Sequence, residues 1–222
     1  MNNKNEDVIV LLDIDHTLFD TDAYRNVCFQ DIIKKTNYGD SDKGLKIAEE
    51  LYAKMRSSGY FKTRDFIQEL CTLLAVQVEI AHLEEAFFDE VNIKKSLYSD
   101  VEEVLEMISK KGTVRIGIFS GGQEDMQRKK IASLVHILEE DHIHINEVDK
   151  LQDIPTVLEK YTNHKVFIID DLLIVLEKFK SVNDKVITVL IERNGTKKEG
   201  ISGDGFIPDL RIENLRELTT II

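Results

Sequence analysis

The chain has 222 residues, 41 acidic and 29 basic side chains, a formal charge of −12, and 42% hydrophobic residues with 11 Gly, 2 Pro, 2 Cys and no Trp. Counting glycine in place of tyrosine, the apolar share is about 44%, the usual value for a globular domain, which excludes disordered, collagenous and low-complexity classes. The acidic balance excludes a phosphate-backbone partner, because the only basic clusters are short ones at Arg128 to Lys130 and Lys197 to Lys198.

The first predicted element is VIVLL at residues 8–12, a continuous β-branched and Leu run that reads as a strand buried on both faces. It stops abruptly in DIDHTLFD. Residues 20–96 then contain no convincing strand but several amphipathic helices. Their apolar faces are Leu45, Ala48, Tyr52 and Met55; Ile67, Leu70, Cys71 and Leu74; and Leu83, Ala86, Phe87 and Val91. Polar breaks at Asn37 to Lys43 and Ser57 to Gly59 separate them.

From residue 97 the pattern alternates. A helix through Val101, Val104, Leu105 and Ile108 precedes a strand at Val114 to Phe119, and a helix through Ile131, Leu134, Val135 and Leu138 precedes a weaker strand at His142 to Ile145. A helix through Ile154, Val157, Leu158 and Tyr161 leads to a strand at Val166 to Ile169. A last helix through Leu172, Val175, Leu176 and Phe179 leads to one at Val186 to Ile191. Repetition of strand and helix predicts an α/β, doubly wound, Rossmann-like parallel sheet. The predicted organisation is a discontinuous catalytic core, residues 1–19 and 97–222, with an inserted α-helical cap domain at 20–96.

In such a sheet ligands bind beyond the carboxyl ends of the strands. Those ends carry Asp13 and Asp15, Ser120 with Gly121 and Gly122, and Asp170 with Asp171; Lys150 stands at the entry to a helix after the weak strand. Four carboxylates converging at one edge repel one another unless a cation sits among them, which implies a hard divalent ion, most simply Mg²⁺.

DIDHTL, Asp13 to Leu18, resembles the first motif, DxDxT, of the haloacid dehalogenase superfamily, phosphatase branch. The run closed by Ser120 resembles its second motif, Lys150 its third, and Asp170 with Asp171 its fourth, while the helical insert resembles a cap placed between motifs one and two. The resemblance implies a Mg²⁺-dependent phosphomonoester hydrolase with Asp13 as nucleophile and Asp15 as general acid and base. It further implies that Ser120, the backbone of Gly121 and Lys150 hold the phosphoryl oxygens. Asp13, the Asp15 carbonyl and Asp171 would ligate the metal, with Asp170 holding a metal-bound water. The departures are Leu151 where the family usually has Pro, Leu172 where it has a small polar residue, and Val175 where a third carboxylate often stands. Lys165 rivals Lys150 but begins a strand, at the wrong edge. The alternatives are a phosphomutase of the same fold and a non-catalytic phospho-ligand-binding protein.

Other features read as structural. A calcium loop in DIDHTLFDTD fails because Leu18 replaces the sixth-position Gly and Tyr24 the twelfth-position Glu. Gly195 to Gly200 lacks the Lys of a phosphate loop and reads as a turn. His142 and His144 lack a third zinc ligand, and Cys28 and Cys71 read as buried thiols. In the insert, Tyr60, Lys62 and Arg64 lie in GYFKTR, where Lys62 and Arg64 are candidate substrate-binding cations. With no leader peptide and no apolar run of membrane length, a cytoplasmic protein is expected, acting on a small phosphorylated metabolite without nucleic-acid or membrane partners.

Overall fold

A computed structural model describes residues 7–57, 61–193 and 205–222. In chain order the elements are β1 (Val8–Leu12), α1 (Thr21–Lys35), α2 (Ser41–Ser57), α3 (Thr63–Leu74), α4 (Ile80–Glu84), α5 (Glu90–Lys95) and α6 (Val101–Ser109). There follow β2 (Val114–Gly121), α7 (Glu124–Lys130), β3 (Ile143–Asn146), α8 (Lys150–Glu159), β4 (Lys165–Asp170), α9 (Leu173–Val182), β5 (Ile187–Ile191), β6 (Leu210–Ile212) and α10 (Leu218–Ile221). The chain divides into two compact units, residues 1–20 with 97–222, and residues 21–96.

The first unit is a six-stranded sheet in the order β3-β2-β1-β4-β5-β6. Every pairing is parallel. The fold class is the predicted one, and the reason is visible in burial: Ile9, Val10, Leu11 and Leu12 of the central strand are all fully buried, as a strand covered on both faces requires. One face packs Ile9, Leu11, Phe119 and Ile168 against Ile154 and Leu158 of α8 and Val175, Leu176 and Phe179 of α9. Gly117 is needed where β2 passes the turn before β3, since a Cβ there would lie 2.3 Å from the His142 carbonyl oxygen.

Two expectations need correction. The helix expected through Ile131 to Leu138 lies earlier, at α7; Ala132–Leu134 is a 3-10 turn and Val135 is 63% exposed. The helix expected through Leu83 to Val91 is broken into α4, a 3-10 turn at Glu85–Phe87 and α5, with Val91 on the surface. In both cases apolar residues at helical spacing belong to consecutive turns rather than one helix. Strand β6 has only three residues, with polar Arg211 at its centre, too short a pattern to read.

The second unit, 21–96, has helices joined by short turns and no strand among its described residues. Phe29 of α1, Phe66 of α3 and Phe87 form its aromatic centre, with Phe29 and Phe66 stacked at 5.1 Å and Phe87 edge-on to both. Cys28 and Cys71 are buried there as free thiols; burial pushes the Cys28 thiol up to about 12, far from reactivity. Tyr60, Lys197 with Lys198, and the Gly195 to Gly200 turn lie outside the described residues.

Candidate active site

The sheet edge beyond β1, β2 and β4 gathers most of the expected site residues. Asp13 directly follows β1, and its amide donates to the Ile169 carbonyl of β4 at 2.9 Å, tying the two strand ends together. The chain then turns within DIDHTL: the Ile14 carbonyl accepts from the Leu18 and Phe19 amides, both at 2.9 Å, and His16 takes a left-handed φ of 59°. Ile14, Leu18 and Phe19 are fully buried beneath the turn. Its two acids therefore stay at the polar edge while its apolar residues anchor it.

Lys150 is the first residue of α8, where the Asp149 carboxylate caps the helix by accepting from the Leu151 amide. Its ammonium donates to Asp13 Oδ1 at 2.7 Å and to Asp170 Oδ2 at 2.8 Å. Asp170 Oδ1 accepts from the Leu172 amide, 2.9 Å; α9 itself begins with no side-chain cap. Lys165 sits at the opposite end of β4 from Asp170, over the Phe167 ring.

Asp13, Asp170 and Asp171 form a cluster in which one oxygen of each lies within 4.8 Å of the others, all three buried. Burial raises Asp13 above the ordinary carboxylate range; the Asp15 and Asp171 charges add to this and Lys150 opposes it. Burial likewise pushes Asp170 up to about 7 against the pull of Lys150. Lys150 responds in the other sense: burial disfavours its charge, but Asp13 and Asp170 outweigh that and hold it protonated above its usual value. The cluster carries more negative charge than Lys150 balances. Clustered carboxylate oxygens suit a hard divalent cation, so the residues fit Mg²⁺.

Asp15 has two strong partners that sequence reasoning missed. Lys130 Nζ lies 2.6 Å from Asp15 Oδ1, and Gln127 Nε2 lies 2.7 Å from Asp15 Oδ2. Gln127 also donates to the Gly121 carbonyl at 2.6 Å and reaches Ser120 Oγ at 3.4 Å. Ser120, near the end of β2, is 1% exposed. Gln127 and Lys130 are three residues apart on α7, the helix that directly follows the Ser120 loop; that spacing was the available signal, hidden by reading Arg128 to Lys130 only as a short basic cluster.

Lys62 and Arg64 belong to the second unit. Lys62 immediately precedes α3, and Arg64 pairs with Glu84 at 3.1 Å on the surface. His142 and His144 both meet the Tyr161 hydroxyl, at 3.0 and 2.9 Å; burial lowers His144 to about 4.

No family model matches the sequence, and a comparison with curated proteins gives no match. Solved structures do match over nearly the full chain. A protein from Burkholderia xenovorans LB400, described as a haloacid dehalogenase-like hydrolase, superposes with a TM-score of 0.74 at 19% identity, covering 97% of this chain and 96% of that one. The chain has the haloacid dehalogenase fold. The HAD-hydrolase YfnB of Bacillus subtilis, bound to magnesium, gives 0.62 at 14% identity, covering 97% and 98%. A HAD phosphatase from Thermococcus onnurineus gives 0.59 at 19%, covering 96% of each. An L-2-haloacid dehalogenase from Xanthobacter autotrophicus and a Thermotoga maritima protein described as a β-phosphoglucomutase share this fold. Fold likeness of this kind spans phosphoryl and carbon-halogen chemistry, so the activity has to be argued from the site.

Proposed function

We propose that the protein is a Mg²⁺-dependent phosphomonoester hydrolase acting on a small phosphorylated metabolite. The observation that carries this reading is Asp15: a second acid, two residues beyond Asp13, turned to the same edge and tied through Gln127 to Ser120. A halide leaves as a stable anion and needs no proton, whereas an alkoxide does. A general acid beside the nucleophile therefore favours ester hydrolysis over dehalogenation.

In this reading a carboxylate oxygen of Asp13 attacks phosphorus, the ester P–O bond breaks, and the departing alkoxide takes a proton from Asp15. Asp15 then removes a proton from water, which attacks the same phosphorus, breaks the bond to Asp13 and releases inorganic phosphate. Ser120, the Gly121 backbone and Lys150 hold the phosphoryl oxygens, their donors set before the reaction begins. Lys150 also favours the ionised form of Asp13, against the burial that disfavours it. Asp13, the Asp15 carbonyl and Asp171 would hold Mg²⁺, with Asp170 behind a bound water. When bound, the ion offsets the repulsion between the carboxylates and the incoming phosphate.

The helical unit 21–96 acts as the cap that selects substrate and excludes water, with Lys62 and Arg64 as cations for a second anionic group. The two buried thiols, outside any disulfide, favour the cytoplasm. A phosphomutase would share the first step and differ in returning the phosphoryl group to a second hydroxyl; the likeness to the Thermotoga protein keeps that reading in the test. The test is a panel of phosphomonoesters, a sugar bisphosphate and 2-chloropropionate, each with Mg²⁺ and with EDTA. Phosphate release that EDTA abolishes is expected. Chloride release without phosphate release would overturn the proposal.

A further inference from the structure

Four consecutive polar residues, Gln127 to Lys130, occupy the C-terminal half of α7, and they divide by face. Arg128 is engaged at the surface by Glu124 and Glu140. Gln127 and Lys130 are buried, 2% and 7% exposed. Burying an ammonium is costly unless a partner compensates it. Lys130 has two: the Asp15 carboxylate at 2.6 Å and the face of the Phe19 ring at 5.1 Å.

Gln127 is buried with its amide nitrogen fully used and its oxygen idle. The Oε1 atom accepts no hydrogen bond among the described residues, a loss of about 1–3 kcal/mol for a desolvated acceptor. The donor end meets Asp15, the Gly121 carbonyl and Ser120 Oγ at once. Gly122 makes room for it. With a φ of 125°, Gly122 sits where a Cβ would come within 3.0 Å of Gln127 Nε2. The glycine following Gly121 thus serves a side chain five residues on.

We propose that Gln127 and Lys130 are positioning residues for Asp15, holding one carboxylate oxygen each so that the general acid and base is fixed in orientation against the Ser120 loop. The inference rests on the phosphatase reading above. A carboxylate gripped at both oxygens by buried donors has one orientation, and displacement of a proton-transfer group by about 1 Å costs on the order of a hundredfold in rate. Neither residue touches the phosphoryl group in this scheme.

The test uses the full chain with Mg²⁺ and two substrates. p-Nitrophenolate leaves phosphorus without needing a proton, so with p-nitrophenyl phosphate the first step is indifferent to Asp15 while the second requires it. An alkyl phosphate requires Asp15 in both. Lys130→Met and Gln127→Leu should show a burst of one p-nitrophenolate per site followed by turnover about 10- to 100-fold below wild type, with KM falling alongside as the second step becomes limiting. On the alkyl phosphate they should lose as much kcat without a burst. Lys130→Arg should recover much of the rate.

Equal losses on both substrates with no burst, or kcat within about threefold of wild type, would overturn the proposal. If Lys130→Met does not fold, Gln127→Leu decides the same way. A thermal-unfolding cycle of Asp15→Asn with Lys130→Met adds a readout independent of turnover: strictly additive shifts mean the pair does not interact and sink the inference. Wild type inactive on every phosphomonoester would fell the phosphatase reading and this inference together. Active wild type with burst-free variants would fell this inference alone.

Discussion

Lys150 holds Asp13 at 2.7 Å although 137 positions separate them in the chain, and the same ammonium reaches Asp170. One cation thus stands between two buried carboxylates on adjacent strands. Lys150→Met should leave those carboxylates facing each other, at a cost of about 3–5 kcal/mol in EDTA, as for other broken buried pairs. Saturating Mg²⁺ should recover more stability in this variant than in wild type. Thermal unfolding with and without Mg²⁺ measures both; an unchanged melt in EDTA would show that Lys150 does not stabilise the cluster.

Asp13→Asn removes one charge from a crowded cluster and keeps the shape of the side chain. Phosphate release should fall below a tenth of wild type, while the melting temperature stays within a few degrees or rises. Retained turnover above that level would dismiss Asp13 as nucleophile.

In the metal-free protein Asp170 should contribute more stability as pH falls from about 7 towards 4, while His144, lowered to about 4, contributes in the opposite sense over much of that window. Burial lifts Asp170 from 3.8 to about 7 in the folded state, so between those values the native chain binds a proton that the unfolded chain does not. Unfolded protons minus native protons is then negative for this group, and its contribution to stability declines as pH rises through the window. Mg²⁺ competes with that proton, so its stabilising effect should grow with pH over the same range. Urea unfolding in EDTA of wild type and Asp170→Asn at several pH values isolates the Asp170 contribution; a stability of wild type relative to the variant that rises with pH between 4 and 7 would contradict the assignment.

Arg193 is a test of structure away from the chemistry. Its guanidinium donates twice to buried Asp100, at 2.9 and 2.8 Å, and also to the Thr17 carbonyl, while Asp100 accepts from the Leu215 amide. Arg193→Met strands the Asp100 charge and should cost about 3–5 kcal/mol in urea unfolding. A loss under about 1 kcal/mol would mean that the pair behaves as a surface bridge.

Lys62→Ala and Arg64→Ala should raise KM for the best natural substrate while barely changing kcat for p-nitrophenyl phosphate, which has no second anionic group. The Arg64 pair with Glu84 is exposed, so its loss should alter stability by under about 1 kcal/mol. Equal losses on both substrates would assign these residues to fold or closure, and no loss on either would leave them a solvated segment.

The strands were legible because strands buried on both faces must be apolar, which VIVLL and VFII satisfy throughout and VRIGIF breaks only at exposed Arg115. The acids that follow them were legible for the opposite reason: charge directly after such a run has few structural uses. Lys130 and Gln127 were not, because QRKK in isolation is what a solvated helix looks like, and only tertiary packing turns two of its four side chains inward. The breaks at Ala132–Leu134 and Glu85–Phe87 escaped for a related reason, since apolar spacing alone does not separate a continuous helix from successive short turns.

The register of β1 has a consequence for how the chain is made. Val8 pairs with Val114 on one side and Lys165 on the other, so the most apolar strand has no neighbour until more than a hundred further residues have left the ribosome. At about 5–20 residues per second, VIVLL waits several seconds with both edges open. The helices of 21–96 have their own partners close in sequence during that interval, and local contacts form first. The nucleophile candidate is thus made before the rest of its pocket, which closes only when Asp170 arrives, and in the nascent chain the open edges of its strand are an aggregation hazard.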